Sequence, residues 1–428
     1  MSKIKKLLVS LLAFLMLATV APLSGVQAAS ANETSISNYK SSDLSLNVKS
    51  ALAIDASTGQ VLYAKNANKA LPIASMTKLI TVYLTLQAIK QGKISWSTKV
   101  KPTSQIVKVA NNSEYSNVPL YSGHSYTVKQ LYEATLIESA NGAAMMLAKA
   151  ISGNQVTFVK KMRALVKKWG ITDAEIYNVN GLPNSYLGTD AYPGAAKNAE
   201  NHLSAKDMAI IGMHLIDDYP EVLNTTKIAK KTFVDGSTKT QMTNFNWMLK
   251  GLSSYDSRYP VDGLKTGTTD AAGACFIGTV KKNGGRIITV VMGAQHKSAS
   301  DASRFKQTDK LLTWIYANYK SVNLTANSKL MTVKVPYGED TTANVGVKQT
   351  TTLWDPVDGK SLSASLTRKT VNAPLTKGKT VTTANFKSGS TKLISLNSPN
   401  GMKVKVASLQ NDNEVNFFVK IWRTIFGK

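Results

Sequence analysis

The sequence predicts an α+β fold, an antiparallel five-stranded sheet packed with helices, followed by a small all-β C-terminal domain and a terminal amphipathic helix. Three observations lead there. Two strand-like segments open the main body, a long helical stretch fills its middle, and three strand-like segments with a helix close it. Beyond Ser328 the composition turns to Thr, Val, Lys and Ser in alternation, with Pro and Gly turns, as expected of short exposed strands. The final residues place Val415, Phe418, Val419, Trp422, Ile425 and Phe426 on one face of a helix.

The chain begins with Lys3, Lys5 and Lys6, an apolar run from Leu7 to Val20, then Pro22, Gly25 and a small-residue site at Val26-Gln27-Ala28. This is the layout of a cleavable secretory signal over residues 1–28. The run is shorter than the ~20 apolar residues that cross a bilayer. Residues 29–48, rich in Ser and Asn, read as a flexible leader, and the main body is expected over 49–322. Within it SALAIDA and QVLYAK flank a turn at Ser57-Thr58-Gly59 and form a hairpin. From Ser75 to Ile89 the residues are apolar nearly all round, the mark of a helix enclosed by protein. TVKQLYEATLIES, GAAMMLAKAIS and NQVTFVKKMRALVKKWG continue as helices. VDGLKTGT, ACFIGTV and RIITVVMGA follow as strands, the last two joined by a tight turn at Lys282-Asn283-Gly284, and a helix from about Ser300 to Tyr319 ends the unit. The all-β domain is expected over 328–410 and the last helix over 412–428. At ~1.5 Å per residue that helix is about 20 Å long, short of a ~30 Å hydrocarbon core, so it can lie in a membrane interface but not span it. Trp and Phe beside basic residues suit an interfacial helix. The same pattern also fits docking onto the protein's own β domain.

A chain of 428 residues, 43% of them hydrophobic, supplies one large core and at least one smaller domain. Cys275 is the only cysteine, so no intrachain disulfide forms, and an exported chain without disulfides points to a bacterial surface. With no cysteine after the signal, a lipoprotein is excluded. Cys275 itself reads as a small apolar strand residue. Lys and Arg total 52 against 26 acidic residues, a formal +26 that draws the protein to polyanions. Export argues against nucleic acid and for anionic lipid head groups and wall polymers. The lysines are scattered, so part of the excess serves solubility.

Acyl transfer needs a nucleophile, a base within reach and donors for the oxyanion. The histidines, His124, His202, His214 and His296, occupy no catalytic context. There is no HExxH, no GxSxG and no Cys-His metal spacing, and neither metal nor cofactor is expected. Ser75-Met76-Thr77-Lys78 offers another route, because residues three apart on a helix share a face and bring Oγ and Nζ together. Ser75 falls at the helix start, where free N–H groups favour developing negative charge. Lys78 acts as a base only when neutral, so its pKa must drop from ~10.4 towards 7 to 8, a cost of roughly 4 kcal/mol. Burial and a second nearby cation both push it that way. SxxK alone is common by chance. Its company is what distinguishes it: Ser139-Ala140-Asn141 at a helix-to-helix junction and Lys265-Thr266-Gly267-Thr268 on a predicted strand.

SxxK, SxN and KTG in this order are the signature of penicillin-binding proteins and class A β-lactamases. The chain resembles a low-molecular-mass penicillin-binding protein, a serine-type D-alanyl-D-alanine carboxypeptidase of the penicillin-binding protein 5 kind. The likeness runs from Ser50 to Tyr319 and extends to the β domain and terminal helix, which resemble that family's stalk and membrane anchor. It implies a β-lactamase/transpeptidase-like fold and removal of the terminal D-Ala from peptidoglycan stem peptides ending in D-Ala-D-Ala. By the same resemblance Ser75 attacks the peptide carbonyl and Lys78 takes its proton. Ser139 relays a proton to the leaving amine and Asn141 holds the substrate amide. Lys265 supplies positive potential, while Thr266 and Thr268 bind the terminal carboxylate. The backbone N–H groups of Ser75 and Thr268 form the oxyanion hole, with Gly267 between the two threonines. Arg304 is a further carboxylate-binding candidate, and an Arg there also fits a surface ion pair. β-Lactams are the implied inhibitors, anionic membrane lipids the implied partners of the terminal helix, and the outer face of the bacterial cytoplasmic membrane the implied location. Two features depart from the family's pattern. Residues 185–202 make a longer connection between the SxN and KTG regions, and Thr268 stands where His is frequent.

A class A β-lactamase shares the three motifs and adds a glutamate that activates water. Glu221 fits superficially, but it lies 82 residues after Ser139 and only 44 before Lys265. A non-catalytic wall-binding protein is the third reading, and the intact Ser75, Lys78, Ser139 and Lys265 argue against it.

Overall fold

The computed structural model describes residues 44–427, so the expected signal and most of the leader lie outside the described residues. Strands β1 (Ser50–Asp55) and β2 (Val61–Lys65) open the sheet. Helices α1 (Lys78–Lys90), α2 (Val128–Ile137), α3 (Asn141–Ser152), α4 (Gln155–Lys168) and α5 (Ala205–Asp218) form the middle. Strands β3 (Val261–Thr269), β4 (Gly273–Lys282) and β5 (Gly285–Ala294) complete the sheet, and α6 (Ser303–Asn318) follows. The strand order is β2-β1-β5-β4-β3, antiparallel throughout, so the two ends of the domain meet where Ser50 pairs with Met292 and Asp55 with Ile287.

Strands β1, β2, β4 and β5 carry largely apolar runs because both faces are covered, whereas β3 (VDGLKTGTT) is mixed. Leu52, Ile54, Cys275, Ile277, Ile288 and Val290 point into the core shared with α1 to α5. Ala51, Ala53, Ala274, Phe276, Ile287 and Val291 point the other way, against α6. Residues 44–48, expected in the leader, belong to this second core. Leu44, Leu46 and Val48 are buried, and the Asn47 N–H donates to Gln307 Oε1 at 2.8 Å. Their Leu and Val alternate with polar residues, a two-residue period that the Ser/Asn-rich composition hid. α1 is buried on every side from Lys78 to Leu86, as its sequence implied.

Strand β6 (Tyr319–Leu324) continues directly from α6 and pairs with β9 (Thr351–Pro356). The expected end of the main body at 322 therefore falls inside a strand. The Thr325-Ala326-Asn327 stretch marks the turn after β6, not the start of the domain. The remaining strands, β7 (Met331–Lys334), β8 (Thr342–Val347), β10 (Leu362–Leu366), β11 (Thr380–Ser388), β12 (Thr391–Lys392) and β13 (Lys403–Ser408), form a sheet in the order β7-β8-β13-β11-β10, with β12 paired to β11. Their alternation wraps a separate core of Val345, Leu353, Phe386 and Val406.

The two domains are joined through Trp354 of β9. Its indole N–H donates to Asp55 Oδ2 at 2.9 Å, and its backbone is bracketed by the Gln60 side chain. Asp55 also accepts from the backbone and hydroxyls of Ser57 and Thr58, which fixes the β1–β2 turn. Asp55→Ala leaves a buried indole N–H without a partner, so it is expected to cost about 2 kcal/mol. A lowered urea midpoint checks this; an unchanged midpoint contradicts it.

Candidate active site

Ser75 lies in a 3-10 turn, Ala74–Thr77, that leads into α1. The α-helix thus starts at Lys78, later than the sequence pattern implied. Two backbones crowd this turn. A Cβ on Gly181 would sit 1.9 Å from the Ala74 carbonyl oxygen, and one on Gly267 would sit 2.6 Å from that of Ile73. Only glycine permits such approach. Ala74 itself is left-handed, at φ +46°, a conformation that costs a non-glycine residue roughly 1–3 kcal/mol and persists because the surroundings dictate it. Gly267 therefore separates the two threonines of Lys-Thr-Gly-Thr because β3 passes against the Ser75 turn.

Lys78 is fully buried. Its Nζ lies 2.7 Å from Ser75 Oγ, 2.8 Å from Asn141 Oδ1 and 2.7 Å from the Asn180 carbonyl. Burial, then the charge of Lys265, holds the amine well below the usual lysine range. Lys265 is pushed down to about 7 by burial and by Arg304, against an opposing pull from Glu138. The site thus holds two buried amines that disfavour each other's protonation.

Ser139 sits at the α2–α3 junction with φ +57° and is nearly buried. Asn141, the first residue of α3, is committed on both sides: its Oδ1 accepts from Lys78 and its Nδ2 donates to the Ser116 carbonyl at 3.1 Å. These two bonds hold Asn141 beside the lysine, and its Nδ2 keeps a second N–H. Arg304 is buried, not a surface ion-pair partner. It donates to the Gly267 and Cys275 carbonyls at 2.9 and 3.1 Å and to Thr268 Oγ1 at 2.7 Å. With its oxygen accepting from Arg304, the Thr268 hydroxyl keeps its own proton to donate.

A cleft of about 340 Å³ opens over these groups, lined by Ser75, Ser139, Thr266, Thr268 and Arg304 together with Phe245, Trp247 and His296. Glu114 and Ser116 lie at its rim. The long 185–202 connection reaches it indirectly: Tyr186 stacks on Tyr115 with centroids 5.3 Å apart. Glu221 is exposed at the start of a short helix, outside the cleft lining.

Sequence reasoning missed Asn180, Gly181 and the asparagines that hold them. Asn178 Oδ1 accepts from the Gly181 N–H at 2.6 Å, and Asn201 Nδ2 donates to Thr77 Oγ1 at 2.9 Å and to the Asn178 carbonyl at 3.0 Å. The Asn178-Val179-Asn180-Gly181 turn was the available signal, since Asn and Gly mark a tight backbone.

A serine hydroxyl held against a buried lysine amine, below a cleft lined by hydroxyl and guanidinium donors, is the arrangement of a serine acyl-transfer enzyme of the SxxK class. The comparisons narrow this. Residues 37–296 match the family profile described as D-alanyl-D-alanine carboxypeptidase, and residues 319–415 match that of the penicillin-binding protein 5 C-terminal domain. The chain is 30% identical over 390 residues to the D-alanyl-D-alanine carboxypeptidase DacC of Escherichia coli, covering 90% of this chain and 89% of that protein. It is also similar to the crystal structure of a peptidoglycan synthesis regulatory factor, PBP3, from Streptococcus pneumoniae, with TM-score 0.74, 35% identity, and 87% and 100% of the two chains covered. Penicillin-binding protein D2 of Listeria monocytogenes, solved in its ampicillin-bound form, matches at TM-score 0.51 and 30% identity over 63% of this chain and 98% of its own. The chain belongs to the serine-type D-alanyl-D-alanine carboxypeptidase family.

Only the neutral amine can accept a proton, so an acylation that uses Lys78 as its base would rise with pH through the pKa of that amine. Lys265→Gln removes the neighbouring cation, raises that pKa and should move the acid limb of the acylation rate to higher pH, by about one unit. Rates of labelled-penicillin acylation across pH read this. An acid limb that stays in place would disprove the coupling.

Proposed function

We propose that Ser75 is the nucleophile that takes the acyl group of a stem peptide ending in D-Ala-D-Ala, with Lys78 as its base. The observation that carries this reading is the 2.7 Å contact of a fully buried lysine amine with Ser75 Oγ beneath an open cleft. Neutral Lys78 accepts the hydroxyl proton as Oγ attacks the carbonyl carbon of the penultimate D-Ala. The backbone N–H groups of Ser75 and Thr268 stabilise the oxyanion. The proton passes through Ser139 to the departing amine, and terminal D-Ala leaves. Water then attacks the ester with Lys78 again as base, and Ser75 is restored. Thr268 and Arg304 hold the substrate's terminal carboxylate, aided by Thr266 and the charge of Lys265. A β-lactam presents a strained amide to the same serine, in line with the ampicillin-bound relative. The exposed position of Glu221 speaks against the β-lactamase reading.

The localisation reading rests on α7 (Phe417–Phe426). Its polar side faces the β domain: Arg423 Nη1 donates to the Pro336 and Gly338 carbonyls at 3.0 and 2.6 Å, and Lys420 pairs with Glu414 at 2.5 Å. Its apolar side is left to solvent, with Phe418 79%, Trp422 57% and Ile425 66% exposed. Docking through an apolar face would give the opposite arrangement. No helix among the described residues is long and apolar enough to cross a membrane. The helix therefore lies in the head-group region of an anionic membrane, holding an exported enzyme at the outer face.

Ser75→Ala should abolish covalent penicillin labelling and D-Ala release from pentapeptide, and Lys78→Met should slow acylation by on the order of a hundredfold or more. Label on another residue of Ser75→Ala, or near-normal rates in Lys78→Met, would remove the respective assignment. Deletion of residues 415–428 should free the protein from phosphatidylglycerol vesicles with turnover unchanged; retention on the vesicles counts against the helix as anchor.

A further inference from the structure

The β domain carries a charge distribution that the catalytic reading does not use. From Gly359 to Asn411 the chain has nine Lys and Arg residues and no Asp or Glu. Read along the sequence these cations look scattered, but the strand register gathers several of them on one face. Lys403 of β13 pairs with Asn385 of β11, and Lys405 with Thr383. Two residues further along β11, Lys387 stands directly opposite Lys392 of β12.

Like charges directly opposite one another on paired strands are destabilising. None of the ion pairs among the described residues involves Lys387, Lys392, Lys403 or Lys405. The lysines border a cleft of about 580 Å³, where Lys387, Lys392 and Lys403 meet the side chains of Ser365, Asn385 and Asn397. A second cleft of about 330 Å³ shares Lys403 and adds Lys348 and Lys405, extending the positive track. Unpaired ammonium groups with hydroxyls and amides between them suit phosphate oxygens, and the run of two clefts suits a chain with more than one phosphate.

The position separates a polymer from a membrane. The Lys387–Lys392–Lys403 end of the sheet lies beside Ser395 and Leu396, which contact Gln60 and Gly59 of the catalytic domain. β13 then runs away from that end, and past Ser408 the chain leads through Asp412 and Glu414 to α7. The cationic cleft is thus removed from the apolar helix by about a strand length, roughly 15 Å at ~3.3 Å per residue. We propose that this face of the β domain binds a linear phosphodiester polyanion of the wall, a polyol phosphate chain, alongside the enzyme and independently of Ser75.

The test uses the full-length protein and a short poly(glycerol phosphate) oligomer, with binding measured by calorimetry at several salt concentrations. The triple variant Lys387→Gln, Lys392→Gln, Lys403→Gln is set against a charge-matched control, Lys93→Gln, Lys160→Gln, Lys250→Gln, whose lysines are exposed on the catalytic domain. Three released counterions give a slope of log K against log salt of about −2. The proposal expects that slope for the parent, at least tenfold weaker binding for the first triple, and less than twofold change for the control. Penicillin labelling of Ser75 should be equal in all three, which shows that each is folded. Equal weakening by both triples, no weakening by either, or equally tight binding of polyglutamate of matched charge would overturn it. So would dependence of phosphatidylglycerol vesicle binding, but not oligomer binding, on the three lysines.

Discussion

A primary amine removed entirely from water and held against a serine hydroxyl is the constraint on which the rest of this structure depends. Lys78 can be neutral at that position because burial and the Lys265 charge both disfavour its protonation. It stays in place because three polar partners surround Nζ: Ser75 Oγ, Asn141 Oδ1 and the Asn180 carbonyl. An amine in hydrocarbon without them would cost several kcal/mol. The helix apolar on all sides, the committed asparagine at the start of α3 and the tight turn at Asn180-Gly181 are all conditions for that one buried group.

Those conditions explain the architecture around it. α1 must be enclosed, so α2, α3, α4 and α5 pack around it, and α5 in turn lies against β1 and β5 of the sheet. β3 must run against the Ser75 turn, so Gly267 lacks a side chain and the threonines on either side of it line the same cleft as Ser75. Arg304 is drawn under β3 by the Gly267 and Cys275 carbonyls, where it orients Thr268 and lowers the proton affinity of Lys265. Arg304 thus disfavours protonation of Lys265, and Lys265 that of Lys78, in each case beside the larger effect of burial.

The β domain serves a different end. Its own core is separate, and it meets the catalytic domain where Trp354 bonds Gln60 and Asp55 and where Ile394 and Leu396 bond the backbone of Val61 and Gly59. It presents an apolar helix at one end and a cationic face nearer the other, two surfaces that fit two kinds of anionic surroundings while the cleft remains free.

Much was legible in the sequence because the physics there is local. Ser75 and Lys78 are three apart, and a helical turn joins them whatever surrounds it. Strands β1, β2, β4 and β5 carry largely apolar runs, and the terminal helix shows its two faces by periodicity alone. The burial of residues 44–48, the pairing of β6 with β9 across the expected boundary at 322 and the two partners of Asn141 were not legible, because each is set by a partner far away in the chain. Asn180 and Gly181 lie 102 and 103 residues beyond Lys78, and no spacing rule reaches across that distance. The sequence alone determined which residue types could carry an acyl transfer. Only tertiary structure decided that Lys78 is dry, that Arg304 is inside and that scattered lysines share a face, because desolvation and charge proximity are properties of packing and not of order along the chain.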